Sequence, residues 1–347
     1  MKKKGIVAIL ILALMLSLVA CNSGEKQSGE ADTYNLKYSF EGSESMRLIQ
    51  AWIAWEKMIT EKSNNKVTFT NYFDSTLLDP NAEIDQLKSG IADIGNVHKY
   101  AKDGFVMFEK WKGFTMGTPV EGQIEITKKL IEEFPELQKE ISILKTLAIA
   151  FDGGSYQLLT VKKEVKSVED MKGLVIWCEA DFNNFIEGLG ATPVNTPWPE
   201  VYSSLQKNMY DGLLIAAETL KGNNFAEVCK NCTLINLNYL AAPGDFMCLD
   251  TWNSLTEDVK AVFDDPEVVG FIENEMAEGG RKSEAEVLEW AKNEGGTNII
   301  ELSEEEHNKF VDILNKSKQG IVEEWDSQGL PGTKILERML ELSKSYE

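Results

Sequence analysis

Cys229 and Cys232, spaced as "CKNC", are the pair in this chain whose types and spacing most readily suggest chemistry. A C-x-x-C pair serves thiol exchange or supplies half of a zinc site. A zinc site needs two further thiolates or imidazoles, and the chain has only His98 and His307, neither within a motif. The same scarcity weighs against nucleophilic catalysis, because a Ser or Cys nucleophile needs a base beside it. With Cys178 and Cys248 the pair makes an even set of four beyond the leader. Buried or paired structural cysteines are therefore expected. No metal, no cofactor and no enzymatic role is expected.

The fifth cysteine has a different setting. Lys2, Lys3 and Lys4 precede an almost purely apolar run over 5–20, which ends in Leu18–Val19–Ala20–Cys21. The order of basic, apolar and small residues is that of a secretory signal, and "LVAC" resembles the lipobox of bacterial lipoproteins. That resemblance implies a signal peptide over 1–20, acylation of Cys21, and a protein anchored outside the cytoplasm on a membrane it does not span. Residues 21–33, "CNSGEKQSGEADT", are too polar to order themselves and read as a flexible linker. With 56 acidic against 35 basic residues the formal charge is −21, which argues against nucleic acid or anionic lipid as a partner.

Residues 34–347 are too many for one ordinary core and suggest two lobes. Strands are expected at "YNLKYSF" (34–40), "KVTFTNYF" (66–73) and "IADIGNV" (91–97), with helices over 46–62 and 81–90 between them. That alternation opens a doubly wound α/β domain. Helices over 125–134 and 135–141 precede a long strand at "ILKTLAIAF" (143–151). The second half repeats the alternation: strand material over 152–161, a capped turn over 167–173, the strand of "GLVIWCEA" (173–180), helices over 182–190 and 196–208, and a strand over 210–216. A strand at "FMCL" (246–249) and long helices over 266–295 and 303–329 close the chain. The strand in "GLVIWCEA" ends on Trp177, an unusually large side chain for the place where a strand hands over to a loop.

Four stretches occur in order: "LLDPNAEIDQLKSGIADIG" (77–95), "SVEDMKGLVI" (167–176), "LGATPVNTPWPEVYSSLQKNMYDG" (189–212) and "LSEEEHNKFVDI" (302–313). Together they resemble the extracytoplasmic solute-binding proteins of TRAP transporters, the group named for dicarboxylate uptake. The most specific piece is E-x-Y-x-x-L-Q-x-x-x-x-D-G, carried by Glu200, Tyr202, Leu205, Gln206, Asp211 and Gly212. The resemblance implies an α/β clamshell of the periplasmic-binding-protein kind: two lobes, strands crossing between them, and long C-terminal helices. It implies lobe I from 34–153 plus about 243–284, and lobe II with the cross-lobe helices from 154–242 plus about 285–347. It also implies a small organic ligand in the cleft, the membrane subunits of a TRAP transporter as partners, and a monomer. A ligand-sensing subunit on the same fold is the alternative role.

The family normally ends the strand at 177 on an Arg that forks onto a substrate carboxylate. Here that position is Trp177, and Gln157 stands nearest the second usual basic position. Phe40 and Glu41 after the first strand, Tyr72 and Phe73 at the end of the second, and Trp198, Glu179 and Glu218 on the second lobe complete the candidate ligand site. Aromatic faces with carboxylates suit an amine, a neutral solute or an aromatic one. A carboxylate ligand requires a base from elsewhere, with Lys99 and Lys221 the nearest in sequence.

Overall fold

The computed structural model describes residues 33–80, 82–97, 105–114, 120–150, 154–238 and 242–346. The expected signal peptide, Cys21 and the linker apart from Thr33 lie outside these residues, as do His98 and Lys99. Tyr34–Glu347 is one compact unit.

The first stretch runs β1 (Tyr34–Ser39), α1 (Arg47–Lys62), β2 (Val67–Tyr72), α2 (Glu83–Lys88) and β3 (Ile94–Asn96). A 3-10 turn (Phe108–Phe114), α3 (Val120–Glu133), α4 (Pro135–Ile141) and β4 (Lys145–Ala150) follow. Then come β5 (Tyr156–Thr160), a turn (Val168–Met171), β6 (Val175–Trp177), a turn (Ala180–Phe182), α5 (Asn183–Gly188), β7 (Thr192–Val194), α6 (Trp198–Gln206) and β8 (Gly212–Ala216). Next are α7 (Thr219–Gly222), a turn (Phe225–Glu227), β9 (Asn231–Leu237) and β10 (Ala242–Met247). The chain closes with α8 (Leu249–Ser254), α9 (Glu257–Phe263), α10 (Pro266–Asn293), β11 (Asn298–Glu301), α11 (Glu304–Ser327) and α12 (Gly332–Ser343).

Two mixed sheets result, in the orders β2-β1-β3-β10-β4 and β11-β9-β5-β8-β6-β7. The chain passes from the first sheet to the second between β4 and β5, returns between β9 and β10, and leaves again through α10 into β11. In each sheet the parallel strands set its direction: β1, β2 and β3 run together in the first, and β6, β7 and β8 in the second. This is the α/β fold of the periplasmic-binding-protein kind, with long helices at its C-terminal end.

Side-chain alternation along the strands assigns the cores. On one face of the first sheet Leu36, Tyr38 and Phe40 pack against Trp52, Trp55 and Ile59 of α1. On the other, Val97 and Phe246 meet the 108–114 turn and Ile335 and Met339 of α12. In the second sheet Leu158, Ile176 and Leu214 face α5 and α11, while their strand neighbours Leu159, Trp177 and Leu213 face Val201 and Leu205 of α6.

One strand is displaced from its expected place. The stretch read over 246–249 pairs over Ala242–Met247 instead, and Cys248 (φ −53°, ψ 133°) turns the chain into α8. Pro243 and Gly244 hid its first half, since both residues weaken a strand pattern. They are tolerated here because the β10–β4 pairing shifts register between Pro243 and Asp245. The strand β9, the short β7 and β11, and the helices α7, α8, α9 and α12 complete what sequence pattern did not show.

Candidate functional site

In open α/β sheets ligands gather beyond the carboxyl ends of the strands, where connections diverge. At that edge of the second sheet stand Ser155 and Tyr156, Trp177 to Glu179, Ala216 to Glu218, and Leu237 to Asn238. At that edge of the first sheet stand Phe40 and Glu41, Phe73, Asn96 and Asp245.

Trp177 ends β6, 6 % exposed. Its Nε1 donates to the Thr196 carbonyl at 3.0 Å, and its ring meets Trp198 at 5.4 Å between centroids. Trp198 opens α6 with 41 % of its surface exposed and packs edge-on to Phe225 at 5.6 Å. The indole at 177 is therefore a core residue on one side and the support of an exposed indole on the other.

Gln157 lies in β5 and is fully buried. Its Oε1 accepts from the amides of Ile235 (2.8 Å) and Asn236 (3.0 Å), and its Nε2 donates to Asn236 Oδ1 (2.9 Å) and Glu284 Oε1 (2.8 Å). These four bonds exhaust what an amide side chain can make. The reason is local: the β5–β9 pairing shifts register between Tyr156 and Leu158, with Asn236 at φ +49°, and the Gln157 amide replaces the missing ladder bonds.

Glu284 on α10 joins Gln157 to Glu218. Its Oε2 accepts from Ser155 N at 3.1 Å, and Glu218 Oε1 accepts from Gly154 N at 3.0 Å. A Cβ at 154 would lie 2.9 Å from the Glu218 carboxylate, so glycine allows this close approach. Burial raises the Glu218 carboxyl above its ordinary value, and the charge of Glu284 adds to the rise while Arg47 opposes it. Glu179 accepts from the Tyr156 hydroxyl at 3.2 Å.

In the first sheet Phe40 is fully buried, stacked on Tyr38 at 4.0 Å and on Phe73 at 5.7 Å. Tyr72, one residue before Phe73, falls on the opposite face by strand alternation. Glu41 is half-buried, and its carbonyl accepts from Ser75 Oγ at 3.3 Å. Behind Phe40, the Tyr38 hydroxyl donates to Asp245 Oδ1 at 2.6 Å, and Asn96 Nδ2 donates to both oxygens of Asp245. Burial first, and then Asp245, raise the Tyr38 hydroxyl well above its ordinary value.

The structure thus brings Phe40 to Phe73, Trp177 to Trp198, and Gln157 to Glu218 through Glu284. Phe40, Phe73 and Trp177 pack in the cores of their own sheets, and Trp198 lies at the surface against Trp177. Lys221 stands over the Trp290 ring at 5.2 Å. Glu284, Asn236 and Asp245 carry no motif, and their partners lie 127, 79 and 207 residues away in sequence. No local signal could have found them.

Cys178, Cys229, Cys232 and Cys248 are free, buried thiols. Burial pushes Cys178, Cys229 and Cys232 up to about 12, where thiolate is scarce. Among the described residues no group of His, Cys, Asp and Glu could hold a metal ion, and no helix is long and apolar enough to cross a membrane.

Comparison with known proteins returns solute-binding proteins of TRAP transporters. A TRAP periplasmic solute-binding protein from Desulfovibrio salexigens, in an open complex with the C-terminus of a symmetry mate in its ligand site, is 26 % identical over 91 % of this chain and 97 % of its own, with a TM-score of 0.78. A Rhodoferax ferrireducens TRAP solute-binding protein with copurified benzoate is 18 % identical over 90 % and 98 %, TM-score 0.74. One from Haemophilus influenzae with bound L-gulonate is 19 % identical over 89 % and 100 %, TM-score 0.71. The family model described as "Bacterial extracellular solute-binding protein, family 7" matches residues 39–324. By that match the chain belongs to the family 7 extracellular solute-binding proteins, a family of binding proteins and not of enzymes.

Proposed function

We propose that this protein captures a small organic solute between the strand-end edges of its two sheets and delivers it to the membrane subunits of a TRAP-type secondary transporter. Residues 34–153 with about 243–284 form one lobe, and 154–242 with about 285–347 form the other and the helices across both. Sheet membership supports this division, because β1–β4 and β10 make the first sheet and β5–β9 and β11 the second. Lipid on Cys21 holds the protein at the membrane on its extracytoplasmic side, and the protein acts as a monomer.

The observation that carries the ligand reading is the saturation of Gln157 and the engagement of Trp177 with Thr196. Neither of the two usual clamp positions has a polar atom left for a carboxylate. Of the candidate carboxylates, Glu179 accepts from the Tyr156 hydroxyl, whereas Glu218 accepts from Gly154 N with Oε1 alone and keeps Oε2 buried without a hydrogen-bond partner. That oxygen keeps an amine or another donor-bearing solute as the leading reading. A carboxylate solute received by a base outside the usual positions is the second reading, and the two relatives above hold benzoate and gulonate.

Uptake tests the proposal. In cells carrying the transporter's membrane subunits, solute uptake is expected to disappear on deletion of this chain and to return on its re-expression. Cys21→Ala is expected to release the protein from the membrane fraction or stall its processing. Uptake unchanged by the deletion would overturn the transport role.

A further inference from the structure

The chain passes between its two sheets three times, and one set of side chains touches all three passages. The first passage reaches β5 through Gly154 and Ser155, and the second leaves β9 at Asn238. The third is α10 itself. Along that helix the change of sides falls between Met276, in the core of the first sheet, and Ala277, in the core of the second. Glu284 stands about two turns further on.

Ser155 is where the passages meet. Its amide donates to Glu284 Oε2 at 3.1 Å, and its hydroxyl donates to Asn238 Oδ1 at 2.7 Å. Glu284 Oε1 accepts from Gln157 Nε2 at 2.8 Å, and the same Gln157 holds the amides of Ile235 and Asn236 just before Asn238. From the other side Gln123 of α3, a helix whose Leu130 lies in the core of the first sheet, donates to the Asn238 carbonyl at 3.0 Å. A continuous line of hydrogen bonds thus runs from a helix of the first half, through two passages, to the third.

The residue types fit this task. Glu284 receives two donors from different places, a backbone N–H and an amide NH2, and a carboxylate is the side chain that accepts both with charge-assisted bonds. Gly154 fits it as well. A Cβ there would lie 2.9 Å from both oxygens of Glu218 and 3.0 Å from Glu284 Cβ, so the first passage lies between these two residues only without a side chain. Rotation of one half on the other bends the backbone of each passage. Passages that are cross-linked by hydrogen bonds bend together, whereas separate ones bend independently.

We propose that Glu284 is a positioning residue that ties the three passages into one joint and thereby sets how far the cleft stands open before the solute arrives. The proposal rests on the two-lobe solute-binding reading above and adds to it the group that controls the opening. Glu284 works through Ser155 and Gln157 and does not touch the solute.

Pulsed electron resonance on the full chain without solute measures the opening. Nitroxides attached through p-acetylphenylalanine at Ser45 and Asn184, exposed residues after β1 and in α5, report the separation of the halves. Wild type is expected to give one narrow distance. Glu284→Gln keeps the side chain's shape but turns an NH2 toward one of the two donors, and it is expected to widen the distribution about twofold. Gly154→Ala, which displaces the first passage, is expected to do the same. Asp265→Ala removes the cap at the far end of the same helix and is the control, expected to lower Tm while leaving the distances unchanged. Ser155→Ala removes only the hydroxyl bond to Asn238; it is expected to widen the distribution less, and it serves if the other two variants fail to fold. A wild-type distance distribution in these three variants, with Tm lowered, would reduce the set to local packing and overturn the joint. Equal widening by Asp265→Ala would overturn it too. No solute is present, so either result leaves the solute-binding role to be decided by the uptake test.

Discussion

A side chain can serve a ligand only with the atoms the fold leaves it. Gln157 shows the rule most clearly: its place in β5 was legible from the resemblance, but the four bonds that occupy it come from Asn236, Ile235 and Glu284, and no spacing announces them. Trp177 was legible as a strand terminus, and its engagement with Thr196 and Trp198 was not. Glu56 offers a test at the same scale. It is 6 % exposed on α1, with one oxygen accepting from Asn71 Nδ2 at 2.9 Å and the other without a partner. Burial pushes its carboxyl from 4.5 up to about 7, against the opposing effect of Asn71. The folded protein therefore keeps a proton that the unfolded chain releases above about 4.5. The stability this confers is complete below that value and is lost as pH rises through about 7. Glu56→Gln removes the titration, so urea denaturation is expected to show the variant gaining about 2–3 kcal/mol on wild type between pH 5 and pH 8.

Elements were legible where the pattern is long. The helices over 46–62, 266–295 and 303–329 have enough turns for a 3.6-residue period to show, and α1, α10 and α11 occupy those stretches to within a few residues. Strands of three or four residues, such as β7 and β11, are too short to display alternation. Their pairing comes from register with β6 and β9, which sequence does not state. The long α10 carries the chain from the first sheet to the second, and its start is fixed by Asp265, whose side chain accepts from Glu267 N at 2.9 Å, with Pro266 in the first turn. Asp265 also meets Lys62 of α1 at 2.9 Å, chief among the contacts that lower its pKa. Asp265→Ala is expected to destabilise the protein by about 1 kcal/mol in chemical denaturation, through loss of the cap.

At the scale of the whole molecule, three passages of the chain between two sheets make one protein of two halves, and the proposed solute is their common ligand. The family and the fold were legible because motifs distributed from 77 to 313 are constrained by both sheets together. The ligand's class was not, because it depends on which buried groups lack a counter-charge, a property of packing. The account stands or falls on capture of a solute, and thermal melting of the purified protein across carboxylates, quaternary amines, polyols and neutral aromatics measures that directly. A ligand at 100 times its Kd stabilises the folded state by about 2.7 kcal/mol, which for a protein of this size raises Tm by several degrees. The account predicts such a rise with at least one of these classes. A flat melting temperature across every class would contradict it.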